Sequence, residues 1–360
     1  MISASNVLIV NYYGENGNNP GGKRTLLWKE FFKGHNVDIS FPNSDKNKGL
    51  FQKVFHRLIN FSLGHYPELP QDWVVEVNEA INSGIYDVVV LCCPEYSVCE
   101  FVSKNSRSKI ILDIRDGIYF ESLWSRMERW RYKSKLLSLE DKIKEADLLS
   151  TNIPGLKRHY ENKYKLPMYL LLNISVFNNQ NYSIKRNVNN KSEFRLLYTG
   201  GLLKSSIGQN LICLCRSIKM LNDKGERITL TMLGRFNAIE RFFYTKLFNF
   251  IEIREEVPSE ELSKISEDFD CFVISNTTNR DLLPSKFWFY IKSNFPILSI
   301  SPSYSLDYVS QSIEGLISTS RDSEDIAEKI KQILALEDFD RFKLNINDEK
   351  EELMSKLGLV

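Results

Sequence analysis

The sequence predicts an α/β protein built from two Rossmann-like, doubly wound domains that face each other across a cleft. Three observations lead there. The chain contains two separate strand–glycine–helix beginnings, Asn6–Tyr12 ahead of Gly21-Gly22 and Phe194–Thr199 ahead of Gly200-Gly201. Runs of strand and helix character alternate after each beginning. A polar, aperiodic, asparagine-rich stretch at 174–193 separates the halves. A chain of 360 residues is long enough for two domains, each with its own core. The expected division is 1–173 and 194–335 as domains, 174–193 as linker, and 336–360 as a C-terminal helical segment.

In the first half, Val7–Tyr12 is a short apolar strand, and Thr25–Lys33 has helical spacing with Leu26, Leu27, Phe31 and Phe32 on one side. Gly34-His-Asn-Val37 ends that helix at a glycine and enters a strand over Val37–Phe41. Tyr86–Cys92 and Lys109–Ile114 are continuous apolar runs, as expected of parallel strands covered on both faces. A long helix is predicted from about Leu123 to Ala146, then a strand at Asp147–Thr151 and a helix opened by Pro154-Gly155. Met168–Leu172 closes the half. The second half repeats the alternation with strands at Leu196–Tyr198, Thr229–Leu233, Phe250–Ile253, Cys271–Ser275 and Ile297–Ile300. Helices are predicted at Asn210–Asp223, Ser259–Glu267 and Ser285–Ser293.

Composition narrows the function classes. A net charge of +1, with 42% hydrophobic and 26% charged residues, describes a globular protein and argues against a nucleic-acid partner. The six cysteines lack C-x-x-C spacing and the four histidines are dispersed, so neither a zinc site nor a cofactor is expected. Two Asp-x-Asp runs, Asp268-Phe-Asp270 and Asp338-Phe-Asp340, read as surface features. Met1–Asn6 leads directly into a strand and the apolar runs stay under ten residues. The expectation is a cytoplasmic protein, with the inner membrane face within reach.

The glycine turns carry the chemistry. Gly21 and Gly22, followed by Lys23 and Arg24, would set backbone N–H groups and two cations at a helix start, where an anion is stabilised. Gly200, Gly201 and Lys204 repeat the device, and Gly234-Arg235 follows another strand end. Lys204, Arg235 and Lys286 are cations suited to offset the charge of an anion held at these turns without a metal. Asp113, Arg115 and Asp116 end an apolar strand. Asp113 is expected to tie the strand end to Arg115, and Asp116, in the loop, to meet a bound ligand.

These patterns, in this order, resemble the GT-B glycosyltransferases, and among them the family-4-like group that builds bacterial surface polysaccharides. The resemblance rests on Tyr12-Tyr13 with Gly21-Gly22, Gly34-His-Asn-Val37, Leu112–Asp116, Ala146-Asp147 with Pro154-Gly155, Leu197–Gly201, Val257–Leu262, and Leu283–Lys286 with Pro296. It implies a nucleotide-sugar donor held by the second domain and a glycan acceptor, often lipid-linked, on the side of the first. It further implies a retaining, metal-independent hexosyl transfer. Two departures stand out. Where the family has Arg and Lys in its first phosphate motif, this chain has Gly201 and Ser206, which leaves Lys204 as the substitute. Where the family has two glutamates around the Pro-Ser-Lys segment, this chain has Asp281 and Phe289, and a phenyl ring cannot accept the ribose hydroxyls. The resulting donor set is Gly21, Gly22, Gly200, Gly201, Lys204, Gly234, Arg235, Asp281, Ser285 and Lys286, with Asp116 as the catalytic residue. Two aromatic and basic stretches, Phe51–Phe61 and Trp124–Leu137, are expected to meet an anionic membrane. The competing readings are a catalytically inactive binding subunit and a nucleotide-sugar epimerase.

Overall fold

The computed structural model describes residues 4–15, 20–42, 69–93, 96–102, 106–115, 141–172, 193–201, 205–257, 259–275, 283–284, 286–293, 295–311, 313–336 and 347–359. The chain forms two compact units. One combines residues 1–178 with 345–360, and the other comprises 179–344.

The first unit is built on six parallel strands: β1 (Asn6–Asn11), β2 (Asn36–Ser40), β3 (Val88–Cys93), β4 (Lys109–Ile114), β5 (Leu148–Thr151) and β6 (Met168–Leu170). Their order is β2-β1-β3-β4-β5-β6, so the winding reverses between β1 and β3. That is the doubly wound arrangement, with its ligand-binding crevice expected outside the carboxyl ends of β1 and β3. The helices around it are α1 (Pro20–Phe31), α2 (Gln71–Asn82) and α3 (Pro154–Tyr164). The glycine signal at the end of α1 is realised, since Gly34 has a φ of 98°, a conformation that a side chain would strain. Helix α2 adds to the elements read from sequence. Its Trp73, Val77 and Ile81 recur at every fourth position and are buried together. Most of the helix expected over 123–146 lies outside the described residues, which hold only its helical end at 141–145.

The second unit repeats the plan with β7 (Phe194–Thr199), β8 (Ile228–Leu233), β9 (Ile251–Arg254), β10 (Cys271–Ser275), β11 (Ile297–Ile300) and β12 (Leu316–Thr319). The order is β12-β11-β10-β7-β8-β9, again all parallel, and the reversal falls between β7 and β10. Its helices are α4 (Ser205–Asn222), α5 (Ala238–Leu247), α6 (Ser259–Ser266), α7 (Phe287–Lys292), α8 (Tyr304–Ser310) and α9 (Ser323–Leu334). Leu211, Leu214, Ile218 and Leu221 of α4 bury against Leu196, Tyr198, Leu230 and Met232 of the sheet, joined by Ile326 and Ile330 of α9. The central strands read as unbroken apolar runs because helices cover both of their faces.

The last helix, α10 (Asn347–Leu357), belongs to the first unit although the chain reaches it from the second. Leu353 and Leu357, with Leu359 beyond the helix, bury among Val7, Ile9, Val88 and Val90. Glu349 pairs with Lys157 of α3 at 3.0 Å and also accepts the N–H of Leu170.

Candidate functional site

In the second unit the geometry converges on the carboxyl end of β7, at the reversal with β10. Gly200 follows Thr199 with φ 126°, a backbone conformation that L side chains rarely adopt, and donates its N–H to the Leu233 carbonyl at 2.7 Å. Gly234, at the end of β8, lies so close that a Cβ there would stand 2.6 Å from the Gly200 carbonyl oxygen. The two glycines let neighbouring strand ends meet backbone to backbone. A Cβ on Gly200 would in turn stand 3.2 Å from the Lys286 ammonium.

Lys286 and Tyr290 are one helical turn apart at the start of α7, and both reach Thr199. The Lys286 Nζ donates to the Thr199 carbonyl and lies 4.2 Å from the centre of the Tyr198 ring. The Tyr290 hydroxyl meets the Thr199 Oγ1 at 2.6 Å and accepts the Thr199 N–H at 3.1 Å. Its ring stacks on Phe272 of β10, with centres 4.4 Å apart and planes within 4°. Among the described residues Lys286 has no acidic partner, and burial pulls its pKa down from the ordinary lysine value to about 7. The result is an ammonium at the topological reversal of a doubly wound sheet, held among the described residues by a carbonyl and a ring face. Phosphate oxygens would be far stronger partners for it.

The other donor-side residues divide. Gly201 accepts from the Tyr198 hydroxyl at 3.3 Å. Arg235 has a side chain 88% exposed and paired with Glu256 at 2.5 Å, so its charge is already met. Phe289 packs edge-on against Phe272 and Tyr290, in the same aromatic cluster that seats α7. Lys204, Asp281 and Ser285 lie outside the described residues. The sequence reading misses Asn210. Its buried amide donates to Ser275 Oγ at 3.0 Å and accepts from Ser301 Oγ at 3.3 Å, linking α4 to the ends of β10 and β11. The available signal was a polar residue in register with Leu214, Ser217 and Leu221 on the inward stripe of α4.

In the first unit, Gly21 and Gly22 fall within the first turn of α1. A Cβ on Gly21 would stand 2.3 Å from the Tyr13 ring, so close packing accounts for this glycine. Asn11, at the end of β1, donates to the Gly21 carbonyl at 3.0 Å and to Thr25 Oγ1 at 2.7 Å, and accepts from the Tyr13 N–H. The expectation that Arg24 faces an anion is corrected. Its guanidinium is buried and grips Asp113 at 2.6 and 2.7 Å, with a further bond to the Leu171 carbonyl. The expected Asp113–Arg115 tie gives way to this pairing, and Arg115 Nε donates to the Cys93 carbonyl at 2.8 Å. Trp28 and Ser150 also donate to Asp113. Burial opposes ionisation of Asp113, but Arg24, these hydrogen bonds and the charge of Arg115 hold its pKa below the usual carboxylate value. Asp116 lies outside the described residues, as do the stretches 51–61 and 124–137 and the Asp338–Asp340 run.

Asp270, read from sequence as a surface residue, is buried and accepts the Arg195 N–H at 2.8 Å. Among the described residues no group of three His, Cys, Asp or Glu is arranged to hold a metal ion. A polar depression of about 350 Å³, lined by Arg195, Thr229, Thr231, Glu252 and Arg254, opens along the edge strand β9. It lies away from the carboxyl end of β7, where this sheet reverses.

No family model and no curated protein matches the sequence. Solved structures match it closely in fold. Sucrose-phosphate synthase from Thermosynechococcus elongatus is 12% identical, with a TM-score of 0.60 over 98% of this chain and 94% of that one. The lipopolysaccharide outer core galactosyltransferase WaaB is 11% identical, with a TM-score of 0.54 over 96% and 94%. UDP-GlcNAc 2-epimerase from Methanocaldococcus jannaschii is 11% identical, with a TM-score of 0.53 over 99% of both chains. At such identities the likeness is one of fold: two doubly wound α/β domains of the GT-B type.

Proposed function

We propose that this protein is a metal-independent, family-4-like glycosyltransferase. It moves a hexosyl group from a nucleotide diphosphate sugar to a lipid-linked glycan of a bacterial surface polysaccharide, with retention at the anomeric carbon as in the enzymes its sequence resembles. The observation that carries the reading is the Lys286 ammonium beside Gly200 at the carboxyl end of β7. Doubly wound sheets bind nucleotides at that place.

In this reading the bond between the anomeric carbon and the diphosphate oxygen breaks, and the leaving diphosphate gains negative charge. Lys286 and Lys204 offset that charge, with the Gly200-Gly201 turn, against which Gly234 packs, leaving room for the phosphates. Asp281 and Ser285 complete the donor side, and the Gly21-Gly22 turn lies against the donor phosphates and the acceptor. The acceptor hydroxyl bonds to the anomeric carbon as its proton passes to the leaving phosphate, with Asp116 orienting that hydroxyl.

The test incubates the full chain with labelled nucleotide sugars and a bacterial lipid extract. Label entering the lipid fraction supports transfer. Sugar released or isomerised without acceptor would favour the epimerase reading, and donor binding without turnover would favour a binding subunit. Asp116→Asn should lower turnover far more than donor affinity. Near-normal turnover in that variant would make the aspartate structural.

A further inference from the structure

Lys286 sits just ahead of α7, and α7 is too short to hold it there unaided. The helix spans 6 residues, and a helix of that length is not stable in water without tertiary contacts. Its place is therefore set by what it packs on. Phe287, Tyr290 and Ile291 are buried, and the Tyr290 ring lies flat on Phe272 of β10. Apolar contact of this kind is non-directional, so it holds the helix on the sheet more firmly than it fixes where along the sheet the helix stands. Hydrogen bonds supply the direction.

Those bonds meet at Thr199. The pairing of β7 with β10 runs to Tyr198 and Val273, and Thr199 lies one residue beyond it. There the Tyr290 hydroxyl accepts the Thr199 N–H and meets the Thr199 Oγ1. The Tyr290 main-chain N–H donates to the Lys286 carbonyl at 3.0 Å, so one residue grips Lys286 on one side and β7 on the other. The Lys286 Nζ closes the ring of contacts by donating to the Thr199 carbonyl. When phosphate oxygens take the place of that carbonyl, the tie between Tyr290 and Thr199 persists, because it does not use the ammonium.

We propose that Tyr290 is a positioning residue for donor binding, its hydroxyl fixing α7 on Thr199 so that the Lys286 ammonium stays at the Gly200 turn. Tyr290 acts through Lys286 rather than on the donor. The proposal rests on the reading of Lys286 as a partner of the donor's phosphates.

The test is a double-mutant cycle. Tyr290→Phe removes the hydroxyl and keeps the ring on Phe272. UDP, GDP and ADP are titrated calorimetrically at pH 6 into wild-type protein, Tyr290→Phe, Lys286→Ala and the double variant. Tyr290→Phe should weaken nucleotide binding about tenfold in the wild-type background and less than about twofold in the Lys286→Ala background. A hydroxyl that merely supports the domain would weaken both backgrounds alike. That result, or unchanged affinity in folded Tyr290→Phe, would overturn the proposal while leaving Lys286 as a ligand of the phosphates. Wild-type protein that binds none of the three, or Lys286→Ala that binds as tightly as wild type, would overturn the donor reading and this proposal with it. Thr199→Val serves if Tyr290→Phe fails to fold, since it removes the Oγ1 contact and keeps the main-chain one. It should weaken binding about threefold in the wild-type background and leave the Lys286→Ala background unchanged, and equal effects in the two would overturn the proposal in the same way.

Discussion

Half-buried Lys286 and buried Asp113 show how differently two ionic groups can be used. Asp113 is satisfied by Arg24, Trp28 and Ser150, and it fastens α1 to β4 and β5. Asp113→Ala would leave the Arg24 charge buried and uncompensated, at a cost of about 3–5 kcal/mol. Removing both charges, as Arg24→Met with Asp113→Leu, should destabilise less than the single change, as read from urea midpoints. Lys286 is the opposite case, a cation whose folded environment disfavours its charge. An unfolded lysine titrates near 10.4, so between about pH 7 and 10.4 the unfolded chain holds the extra proton and this group makes stability rise with pH. Lys286→Met should therefore be more stable than wild type at pH 7, with the gap closing toward pH 10. Urea midpoints for the two proteins that stay parallel across that range would mean Lys286 is not desolvated. The same proton favours an anionic ligand, so donor affinity should fall as pH rises above about 7.

At the scale of elements, the apolar runs made the central strands legible, since β3, β4 and β10 are covered on both faces and contain little else. The glycine starts were legible too, but not their uses. Gly21 yields to the Tyr13 ring, while Gly234 yields to the backbone of Gly200, and nothing in a glycine's neighbours along the chain tells those apart. Arg24 misled for a related reason. A basic residue after a glycine pair reads as an anion ligand until its partner, 89 residues away, is brought beside it. Helix α10 carries a prediction at this scale. Its Leu353 and Leu357 cover the face of the first unit that holds Val7 and Val88. Truncation after residue 346 should lower protection from hydrogen exchange in β1, β3 and β6 and leave β7 and β8 nearly unchanged. Equal loss in both units would mean that the chain unfolds as a single cooperative body.

For the whole molecule, the doubled strand–glycine–helix plan was the most legible feature, and it appears as two sheets that reverse at β1/β3 and at β7/β10. Membership of the first unit by the C-terminal helix was not legible, because a helix of charged residues and leucines at 347–357 would suit either sheet. The sequence singled out Lys286 as a candidate. Its clamp on Thr199 through α7 was not legible, because Tyr290 gives no sign in sequence that its hydroxyl ends on a strand 91 residues away. The central claim is that this ammonium receives the donor's phosphates. It is tested most directly by calorimetric titration of UDP, GDP and ADP into wild-type protein and Lys286→Ala at pH 6 and pH 9. Wild-type protein should bind at least one of them more tightly at pH 6, and the variant should lose about 1–3 kcal/mol of that binding, together with its pH dependence. Equal affinity in a folded Lys286→Ala protein, or wild-type protein that binds none of the three, would contradict it.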